Sequence, residues 1–594
     1  MEQKSLKNRK AGIRTLLCVG VLAVLFLFLT LRVPYGYDWT DEQYFSEVAY
    51  RLLQGDRPLV DTWEVHQFSA MISAPILGVY RLANNGSMDG SILFMRYVYI
   101  TIQFAVSLAA FGILRKRHGD LPACIAAAMI LSFTHFSINS FYYDTMALLF
   151  TIVSALFVIQ FLEHGRFERL FAFFSGVSFA LAILAFPYFL FGAFVYLVFW
   201  LMRIRSKEHA KQNRIGALLF LSGGALIAAA VAIYILSGAS VAQVLNGLRF
   251  MMADPDHQSE SLFTILKQYF NTIRVVFSPV SYGAAFYLLL GIMYHFSTRA
   301  VLRRVIKTIG AALLLLLMFG GLAVAWFYWW NGIYRINLLA MTFAMCAPGL
   351  YFFTERREEN GTLLMYFLAC ALSIAVQIGS NTRLYASSGM LLPASVATIL
   401  FLFEHRGELA VEHGDDAPER PRFERKILRF SAILTAACFL CVAGIMALRL
   451  QSVHRDEPIR SLNTVLESGA AKGIYTTEKS AALHRQLIAD IRENAPAEGS
   501  ILITYLFPEG YLVTGLRAAT PSTFNMCMGS AWLEEYYAQN PERIASYVYA
   551  TSIDIPFNAP AENGIGLYQE NPEYQMKKTD TGTVFIRTDR TVGD

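Results

Sequence analysis

Acidic side chains that could act as a general base lie in two short stretches of the sequence. The first contains the adjacent carboxylates Asp41 and Glu42, and the second contains Asp144 at the start of an apolar run. A carboxylate beside an acceptor hydroxyl can remove its proton while the hydroxyl oxygen attacks an electrophile. Both stretches also have a structural interpretation, because Thr40 could cap a helix that begins at Asp41 and Asp144 could be the N-cap of another helix. The residues leave both interpretations open.

Cationic side chains that could hold a phosphate follow the first carboxylates and recur in two later turns. The candidates are Arg57, His66, Arg335 and Arg383. A guanidinium can bind a phosphate through two hydrogen bonds, although each cation could instead lie at the membrane interface with its stem along apolar surface. A second alternative is a divalent metal bound by Asp61, Glu64 and His66. We expect protein cations, and no metal ion, to meet the phosphate charge.

The composition indicates which elements must position these residues. The chain has 594 residues, of which 55% are hydrophobic and 16% are charged, whereas soluble proteins carry about 25% charged residues. These values exclude a disordered chain, a fibrous protein and an ordinary cytosolic enzyme, and they indicate a polytopic membrane protein. The net charge of +5 is small and its basic part lies in short loops, so nucleic acid is not an expected partner. Six of the seven cysteines lie in apolar runs, which leaves the exposed part without a disulfide framework.

Thirteen runs are predicted to cross the membrane, because a spanning helix needs about 20 apolar residues. The predicted spans are 13–31, 92–114, 120–138, 145–162, 169–186, 188–202, 215–237, 279–297, 308–328, 336–353, 361–378, 386–403 and 428–449. The first run follows a basic leader and no small-residue cleavage site comes after it. We therefore expect a retained anchor rather than a signal peptide.

The distribution of Lys and Arg predicts the orientation of these spans. Basic turns such as Arg115 to Arg117 and Arg299 to Lys307 fall on one side of thirteen spans, and that side is predicted to be cytoplasmic. The N-terminus is then cytoplasmic. The first loop (32–91), the turn from Asn139 to Asp144 and the tail after residue 450 are predicted to lie outside.

The sharp change of composition after residue 450 predicts two domains. These are a transmembrane domain over 1–450 and a small extracytoplasmic α/β domain over 451–594. The predicted elements of the tail are a helix over 478–493, a strand over 500–506 and a hairpin made by 573–578 and 583–588. In the loop at 238–278, the amphipathic stretch from Leu262 to Val276 is predicted to lie in the membrane interface.

The position of the charges separates classes of function. The apolar runs contain essentially no charged residue at mid-depth, and the acidic residues gather at the predicted outer ends. Ion-coupled transporters usually have charged residues or broken helices at the midplane, so this class is not expected. An enzyme acting at the outer face fits the distribution best. The alternative is a lipid-linked sugar flippase or a polymer exporter without covalent chemistry, which would need polar residues along a membrane-deep path.

The first loop resembles the polyprenyl-phosphate-sugar-dependent membrane glycosyltransferases of the C-type fold, which include the protein O-mannosyltransferases of family 39 and the aminoarabinose transferases. Asp41 to Tyr44 is similar to the Asp-Glu pair and aromatic residue that open the loop in that family. Gly55 to Asp61 is similar to the turn that follows, and His66 takes the place of the family's Lys or His. Gln67 and Phe68 stand where the family has Pro-Pro.

Three shorter stretches extend the resemblance along the chain. Asp144 takes the position of the family's second acidic residue, at the outer start of the fourth span. Arg383 to Tyr385, followed by Pro393, is similar to the family's Arg-Tyr…Pro turn, and Gly473 to Glu478 is similar to the start of the extracytoplasmic domain in bacterial relatives.

The resemblance implies a function for the candidate residues. It implies transfer of a sugar, with inversion, from an undecaprenyl-phosphate-type lipid to an acceptor hydroxyl at the outer face of the plasma membrane. Asp41 would be the base, and Glu42 and Asp144 would orient it or share its role. The cationic candidates would hold the phosphate. The lipid-linked sugar would be a co-substrate without a further cofactor, and the acceptor would be a lipid, a glycan or a protein.

Overall fold

The computed structural model describes residues 2–206, 209–253, 261–275, 278–327, 334–354, 360–379, 384–410, 420–504, 507–524, 530–551 and 565–588. The helices before the tail are α1 (Glu2–Arg32), α2 (Asp41–Leu53), α3 (Ala70–Ala83), α4 (Ser91–His118), α5 (Asp120–Ser132), α6 (Tyr143–Leu162), α7 (Glu168–Ala185), α8 (Gly192–Arg205), α9 (Ala210–Leu236), α10 (Val241–Met252), α11 (Leu262–Val275), α12 (Ser278–Phe296), α13 (Ala300–Phe327), α14 (Arg335–Phe352), α15 (Asn360–Gly379), α16 (Leu384–Ser387), α17 (Leu392–Glu404), α18 (Arg406–Ala410) and α19 (Arg420–Leu448). The helices of the tail are α20 (Glu478–Asn494), α21 (Glu509–Thr514), α22 (Ser530–Gln539) and α23 (Gly566–Gln569).

The described part of the chain is a multi-pass helical membrane protein. Within these ranges, nine helices are long and apolar enough to cross a membrane, or ten if α11 and α12 together form one bent span. The nine are α1, α4, α6, α7, α8 together with the 3₁₀ helix Pro187–Phe191 before it, α9, α13, α15 and α19. Large apolar side chains such as Leu16 and Leu27 of α1 are exposed, as expected for a surface that faces lipid.

Three more predicted spans correspond to other helices of the bundle. The predicted spans 120–138, 336–353 and 386–403 match α5, α14 and α17, which have 13, 18 and 13 residues. Almost every residue of α5 and α17 is buried by neighbouring helices, so their length does not have to match the thickness of the hydrocarbon. The total of thirteen spans stays a prediction.

The third predicted span ends earlier than its hydropathy indicates. Helix α5 stops at Ser132 instead of residue 138, and an irregular segment continues to Tyr142. Phe136 and Ser137 in this segment have positive φ angles of 50° and 64°, which a helix cannot accommodate. The irregular segment carries His135 to the end of the bundle.

The tail contains two sheets. The strands are β1 (Thr464–Val465), β2 (Tyr475–Thr476), β3 (Ser500–Ile503), β4 (Arg517–Ala518), β5 (Tyr547–Thr551), β6 (Tyr574–Lys578) and β7 (Gly582–Arg587). The larger sheet has the order β4-β3-β5-β7-β6, with β4, β3 and β5 parallel and β7 antiparallel to both of its neighbours. The predicted helix is therefore α20, and the predicted hairpin is the β6–β7 pair. The predicted strand is β3, although residues 505 and 506 lie outside the described residues.

Buried arginines hold several helix ends together at one end of the bundle, which we call the mouth. Here α1, α5 and α19 end, and α4 and α6 begin. Arg449 donates to the carbonyl of Ser132, Arg32 donates to the carbonyl of Arg449, and Arg96 donates to the carbonyl of Val33, at distances of 2.8, 2.9 and 3.0 Å. The last carbonyls of a helix lack partners within it and carry a partial negative charge, so these cations stabilise the mouth.

Candidate active site

The start of α2 is fixed by Asp38. Its Oδ2 accepts the backbone N–H of Glu42 at 2.8 Å, and its Oδ1 accepts both the N–H and the hydroxyl of Thr40 at 3.3 Å. Helix α2 begins at Asp41 as predicted, but the side chain of Thr40 does not cap it. Asp38 supplies the cap instead, and it therefore sets the direction in which Asp41 and Glu42 leave the helix.

Glu42 points into the protein. Arg96 of α4 donates to both of its carboxylate oxygens, with Nε 2.7 Å from Oε1 and a shorter contact from Nη2 to Oε2. Arg96 also donates to the carbonyl of Gly36 at 2.8 Å. The Arg96–Glu42 pair is buried, so it fixes α2 against α4 and against the chain that follows α1. Burial raises the pKa of Glu42 and Arg96 opposes this rise.

Asp41 points the other way and pairs with Arg455 of the tail. Nη1 of Arg455 contacts Oδ2 of Asp41, and the two side chains are 12% and 14% exposed, whereas the neighbouring ion pairs are closed to solvent. Burial raises the pKa of Asp41 although Arg455 opposes the rise, and the charges of Asp38 and Asp144 add to it. Asp41 is thus an accessible carboxylate with a raised pKa, which is the property of a general base.

Asp144 lies near Asp41 and pairs with His135. Its Oδ2 is 3.1 Å from Nε2 of His135, and its Oδ1 is buried without a hydrogen-bond partner among the described residues. Asp144 is the second residue of α6, whose N-cap is Tyr142, so it is not the N-cap that the sequence allowed. The first loop and the start of the fourth predicted span therefore bring two carboxylates to one site.

The absence of a side chain at Gly389 leaves room for the His135 imidazole. A Cβ atom at position 389 would overlap Nδ1 of His135 and would approach Oδ1 of Asn337. Gly389 belongs to the short 3₁₀ helix 388–391 that leads into α17. The late part of the bundle thus supports the Asp144–His135 pair without contributing a charge to it.

An aromatic layer surrounds the two carboxylates. The His66 ring stacks on Tyr143 with a centroid distance of 3.7 Å, and the Tyr142 ring meets Phe45 edge-on at 4.8 Å. Tyr143 directly precedes Asp144, so the stack brings His66 to the same site. Buried aromatic rings also exclude water and strengthen the electrostatic interactions of the carboxylates.

The four predicted phosphate-binding cations do not converge equally. His66 is in the aromatic layer, and Nη1 of Arg335 at the start of α14 donates to Oε1 of Gln451, four residues before Arg455. Arg57 packs over Gly238 just after α9, leaving no room there for a Cβ atom. Arg383 lies outside the described residues. His66 and Arg335 are thus near the mouth carboxylates, while Arg57 faces a different element.

The alternative metal ligands are engaged in other contacts. Oδ1 of Asp61 accepts from Nη2 of Arg543 at 2.8 Å. Glu64 accepts the N–H of Thr523 at 2.9 Å and a short hydrogen bond from the Tyr44 hydroxyl. No group of three His, Cys, Asp or Glu side chains placed to hold a metal ion occurs in the described ranges. Arg543 of the tail thus meets the charge of Asp61, and hydrogen bonds from Thr523 and Tyr44 hold Glu64.

Two apolar cavities lie between helices of the later part of the bundle. A cavity of about 450 Å³ lies between α11, α12, α14 and α15, and one of about 470 Å³ lies between α14, α15 and α17. Pro348 and Tyr366 line both cavities, and Leu391 lines the first. Leu391 is two residues from Gly389, so this apolar groove approaches the Asp144–His135 pair from within the bundle.

Three residues of the site escaped the sequence interpretation. Asp38 is one of several acids in the first loop, and nothing in its neighbours marks it as the helix cap. His135 fell inside a predicted span, and Arg455 lay in the first residues of the tail without a motif. The pairing of Arg455 with Asp41 depends on chain segments more than 400 positions apart, which no local pattern reports. The acid cluster of the first loop is the part of the site that could be predicted from the sequence.

The sequence and the structure were compared with those of known proteins. No protein-family profile matches the chain, and no curated protein matches its sequence. The structure is similar to the crystal structure of ArnT from Cupriavidus metallidurans bound to undecaprenyl phosphate, with a TM-score of 0.49, 11% identity and 98% of both chains covered. The apo state of that protein gives a TM-score of 0.44 and 12% identity, again with 98% of both chains covered.

A third solved structure comes from an archaeon. It is the oligosaccharyltransferase AglB from Archaeoglobus fulgidus in complex with an inhibitory peptide and a dolichol-phosphate. The likeness has a TM-score of 0.42 and 13% identity, and it covers 97% of this chain and 75% of that one.

Proposed function

We propose that this protein is a membrane glycosyltransferase that moves a sugar from a polyprenyl-phosphate donor to an acceptor hydroxyl at the extracytoplasmic face. The observation that carries the proposal is the accessible Asp41 carboxylate beside Asp144 at the mouth, with the cation of Arg455 in contact. A base and a cation at one open site are what the transfer of a phosphate-linked sugar requires. The resemblance of the first loop to such transferases supports the same assignment.

The reaction can be written with the residues at the mouth. Asp41 accepts the proton of the acceptor hydroxyl, and the acceptor oxygen forms a bond to the anomeric carbon of the sugar. The bond from that carbon to the phosphate oxygen breaks, and its electron pair stays on the polyprenyl phosphate that leaves. Attack opposite the leaving group inverts the anomeric centre. Glu42 holds the start of α2 through Arg96, and Asp144 orients the acceptor or shares the proton.

The apolar groove offers room for the polyprenyl chain. A lipid donor needs an apolar path for its chain that ends near cations for its phosphate, and the groove approaches the site through Leu391. Of the four predicted cations, His66, Arg335 and Arg383 are proposed to meet the phosphate. Arg57 is left out because it packs over Gly238. A charge-assisted contact between a guanidinium and a phosphate needs no metal ion, so the lipid-linked sugar is the only co-substrate in this proposal.

The proposed orientation places the mouth outside the plasma membrane. Thirteen spans with a cytoplasmic N-terminus leave the tail (451–594) and the first loop (32–91) on the extracytoplasmic side, in agreement with the basic turns. A reporter fused after residue 460, or cysteine labelling of the tail, tests this topology. A cytoplasmic tail would indicate an even number of spans and would contradict the proposal.

The central test is transfer by an Asp41→Asn variant in membranes supplied with labelled polyprenyl-phosphate sugar. We expect transfer to fall by at least about 100-fold, the usual effect of removing a general base. Glu467→Gln is the matched control, because Glu467 is an exposed carboxylate of the tail, and it should leave transfer unchanged. Full transfer by Asp41→Asn would remove Asp41 from the mechanism.

The same assay separates a transferase from a carrier. A transferase releases free polyprenyl phosphate when the acceptor is present, whereas a flippase or polymer exporter leaves the sugar on its lipid. The class of acceptor, whether lipid, glycan or protein, can be identified by mass spectrometry of surface glycans and lipids from cells with and without the protein.

A further inference from the structure

We propose that Arg455 is a substrate-binding cation that exchanges partners during the reaction. It releases Asp41 and binds the phosphate of the incoming polyprenyl-phosphate donor. This inference rests on the transferase function proposed above and deepens it. Arg455 was not among the predicted phosphate-binding residues. The structure points to it through its hydrogen bonding, its position at the mouth and the backbone that presents it.

The guanidinium of Arg455 has unused hydrogen-bonding capacity. Nη1 contacts Asp41, but the buried Nε has no hydrogen-bond partner among the described residues. A buried donor without a partner is unfavourable, and a bound phosphate oxygen would satisfy it. A guanidinium can present two parallel donors to a phosphate. Because the side chain is 12% exposed, a ligand can reach it without moving the bundle.

The surroundings of Arg455 keep its guanidinium at the mouth, beside an aromatic ring and several acids. Its Cζ lies 5.2 Å from the centroid of the Phe136 ring, which provides a flat apolar surface beneath the cation. Asp41 and Asp38 face it from the first loop. Tyr142 and Asp144 at the start of α6, and Tyr334 just before α14, also lie close enough to interact with its charge. An anion arriving at this surface meets a cation that is already desolvated and oriented.

The backbone on both sides of Arg455 is fixed. His454 and Arg455 both have positive φ angles, 47° and 63°, a conformation that non-glycine residues rarely adopt. The carbonyl of Ser452 accepts from the Ser137 hydroxyl at 2.8 Å, and the carboxylate of Asp456 accepts from the N–H of Tyr37 at 2.9 Å. Strained residues of this kind persist where the surrounding structure holds them, often at functional sites. The side chain of Arg455 is then the part that can move.

The exchange links donor binding to activation of the base. While Arg455 contacts Asp41, it opposes the rise in the pKa of Asp41 that burial and the carboxylates of Asp38 and Asp144 cause. When Arg455 turns to the phosphate, that opposition is lost and Asp41 becomes the stronger base. The donor therefore binds before the acceptor hydroxyl gives up its proton.

The experiment compares how the purified full-length protein binds undecaprenyl phosphate and undecaprenol, measured by native mass spectrometry. We expect the wild type to prefer the phosphate. Arg455→Gln should lose about tenfold in this preference, the worth of one charge-assisted hydrogen bond, and Arg455→Lys should lose less. Arg460→Gln is the matched control, because Arg460 is exposed and lies five positions further along, and it should behave as the wild type.

A second variant keeps the arginine and should change phosphate binding in the opposite direction. Asp41→Asn takes away the anion that competes for Arg455, so it should bind undecaprenyl phosphate more tightly than the wild type while its transfer activity is lost. A purely structural Arg455–Asp41 pair would give weaker binding or no change. The role of Arg455 would be overturned if folded Arg455→Gln kept the wild-type phosphate preference, or if Asp41→Asn did not bind the phosphate more tightly. Either result would leave the proposed function standing. A wild type that does not prefer the phosphate would overturn the proposed function.

Discussion

Arg96 binds Glu42 through two nitrogens, with its Nε 2.7 Å from Oε1, and the pair is closed to solvent, although Asp41 directly beside Glu42 stays accessible. Successive residues of a helix leave its axis about 100° apart, so Asp38, by fixing the first turn of α2, sends one carboxylate inward and the other to the mouth. We therefore propose different tasks for the two acids of the Asp-Glu pair, one in anchoring and one in chemistry.

The first prediction separates these two tasks. Glu42→Gln leaves the buried Arg96 without its carboxylate and should lower the free energy of unfolding by about 3–5 kcal/mol. Asp41→Asn should cost much less stability but abolish transfer. Thermal melting of the purified protein checks stability, and the labelled-sugar assay checks transfer. A Glu42→Gln protein that melts like the wild type would show that the pair does not anchor α2.

The second prediction concerns Gly389. Gly389→Ala would displace the His135 ring that pairs with Asp144, and overpacking of this kind costs about 1–3 kcal/mol. We expect a lower melting temperature and reduced transfer. Gly112→Ala is the control, because a Cβ atom there meets nothing within 4 Å, and a glycine in the interior of a helix is if anything unfavourable. Equal effects of the two substitutions would contradict the role of Gly389.

The third prediction is a dependence of stability on pH that comes from Glu47. Burial raises the pKa of this carboxyl from 4.5 to about 8, with Arg51 opposing and Glu64 adding to the rise. Between these values the folded protein holds a proton that the unfolded chain releases. The free energy of unfolding therefore falls as the pH rises from 4.5 through about 8.

Glu47→Gln tests this dependence. The variant cannot lose the proton, and its amide oxygen can still accept from the Thr523 hydroxyl, which lies 2.5 Å from Oε2 in the wild type. Its melting temperature should depend less on pH, and at pH 9 it should exceed that of the wild type. Glu467→Gln should keep the wild-type slope. A Glu47→Gln protein with an unchanged slope would assign the pH dependence to other carboxyls.

The fourth prediction concerns the contact between the tail and the first loop. The Tyr37 hydroxyl donates to Glu509 at 2.6 Å, and Glu509 also accepts the N–H of Ala471 and pairs with His484. Tyr37→Phe should cost about 1–3 kcal/mol, because the buried carboxylate loses one donor. Tyr475→Phe, in a partly exposed ring at the same contact, should cost less. Limited proteolysis should then release the tail sooner from Tyr37→Phe only.

The fifth prediction is survival of transfer in a chelator. Asp61 pairs with Arg543, and Glu64 accepts from Thr523, so both acids already have partners within the protein. We expect activity in EDTA to match that of the untreated enzyme. Complete loss of activity, restored by a divalent ion, would instead make Asp61, Glu64 and His66 the ligands of a metal.

The sequence by itself determined the features that arise from local pattern. Runs of apolar residues identified the helices of the bundle, and the turn residues Asp580-Thr581-Gly582 between two short segments identified the β6–β7 hairpin. The acids of the first loop and Asp144 were recognised because their residue types and neighbours suffice to indicate a possible base. Hydropathy and turn chemistry act over a few residues, so they can be read without knowing what packs against them.

Only the tertiary structure decided which charges meet. Glu42 and Asp41 are adjacent acids that the sequence does not distinguish, but Arg96 pairs with Glu42 and Arg455 pairs with Asp41. The end of α5 at Ser132 was hidden because residues 133–138 are mostly apolar, and hydropathy does not report backbone dihedral angles. Desolvated charges need partners, and those partners come from whichever distant segments helix packing brings to the mouth. The physical reason is therefore long-range: the energy of an ion pair depends on distance in space, which the order of residues along the chain does not specify.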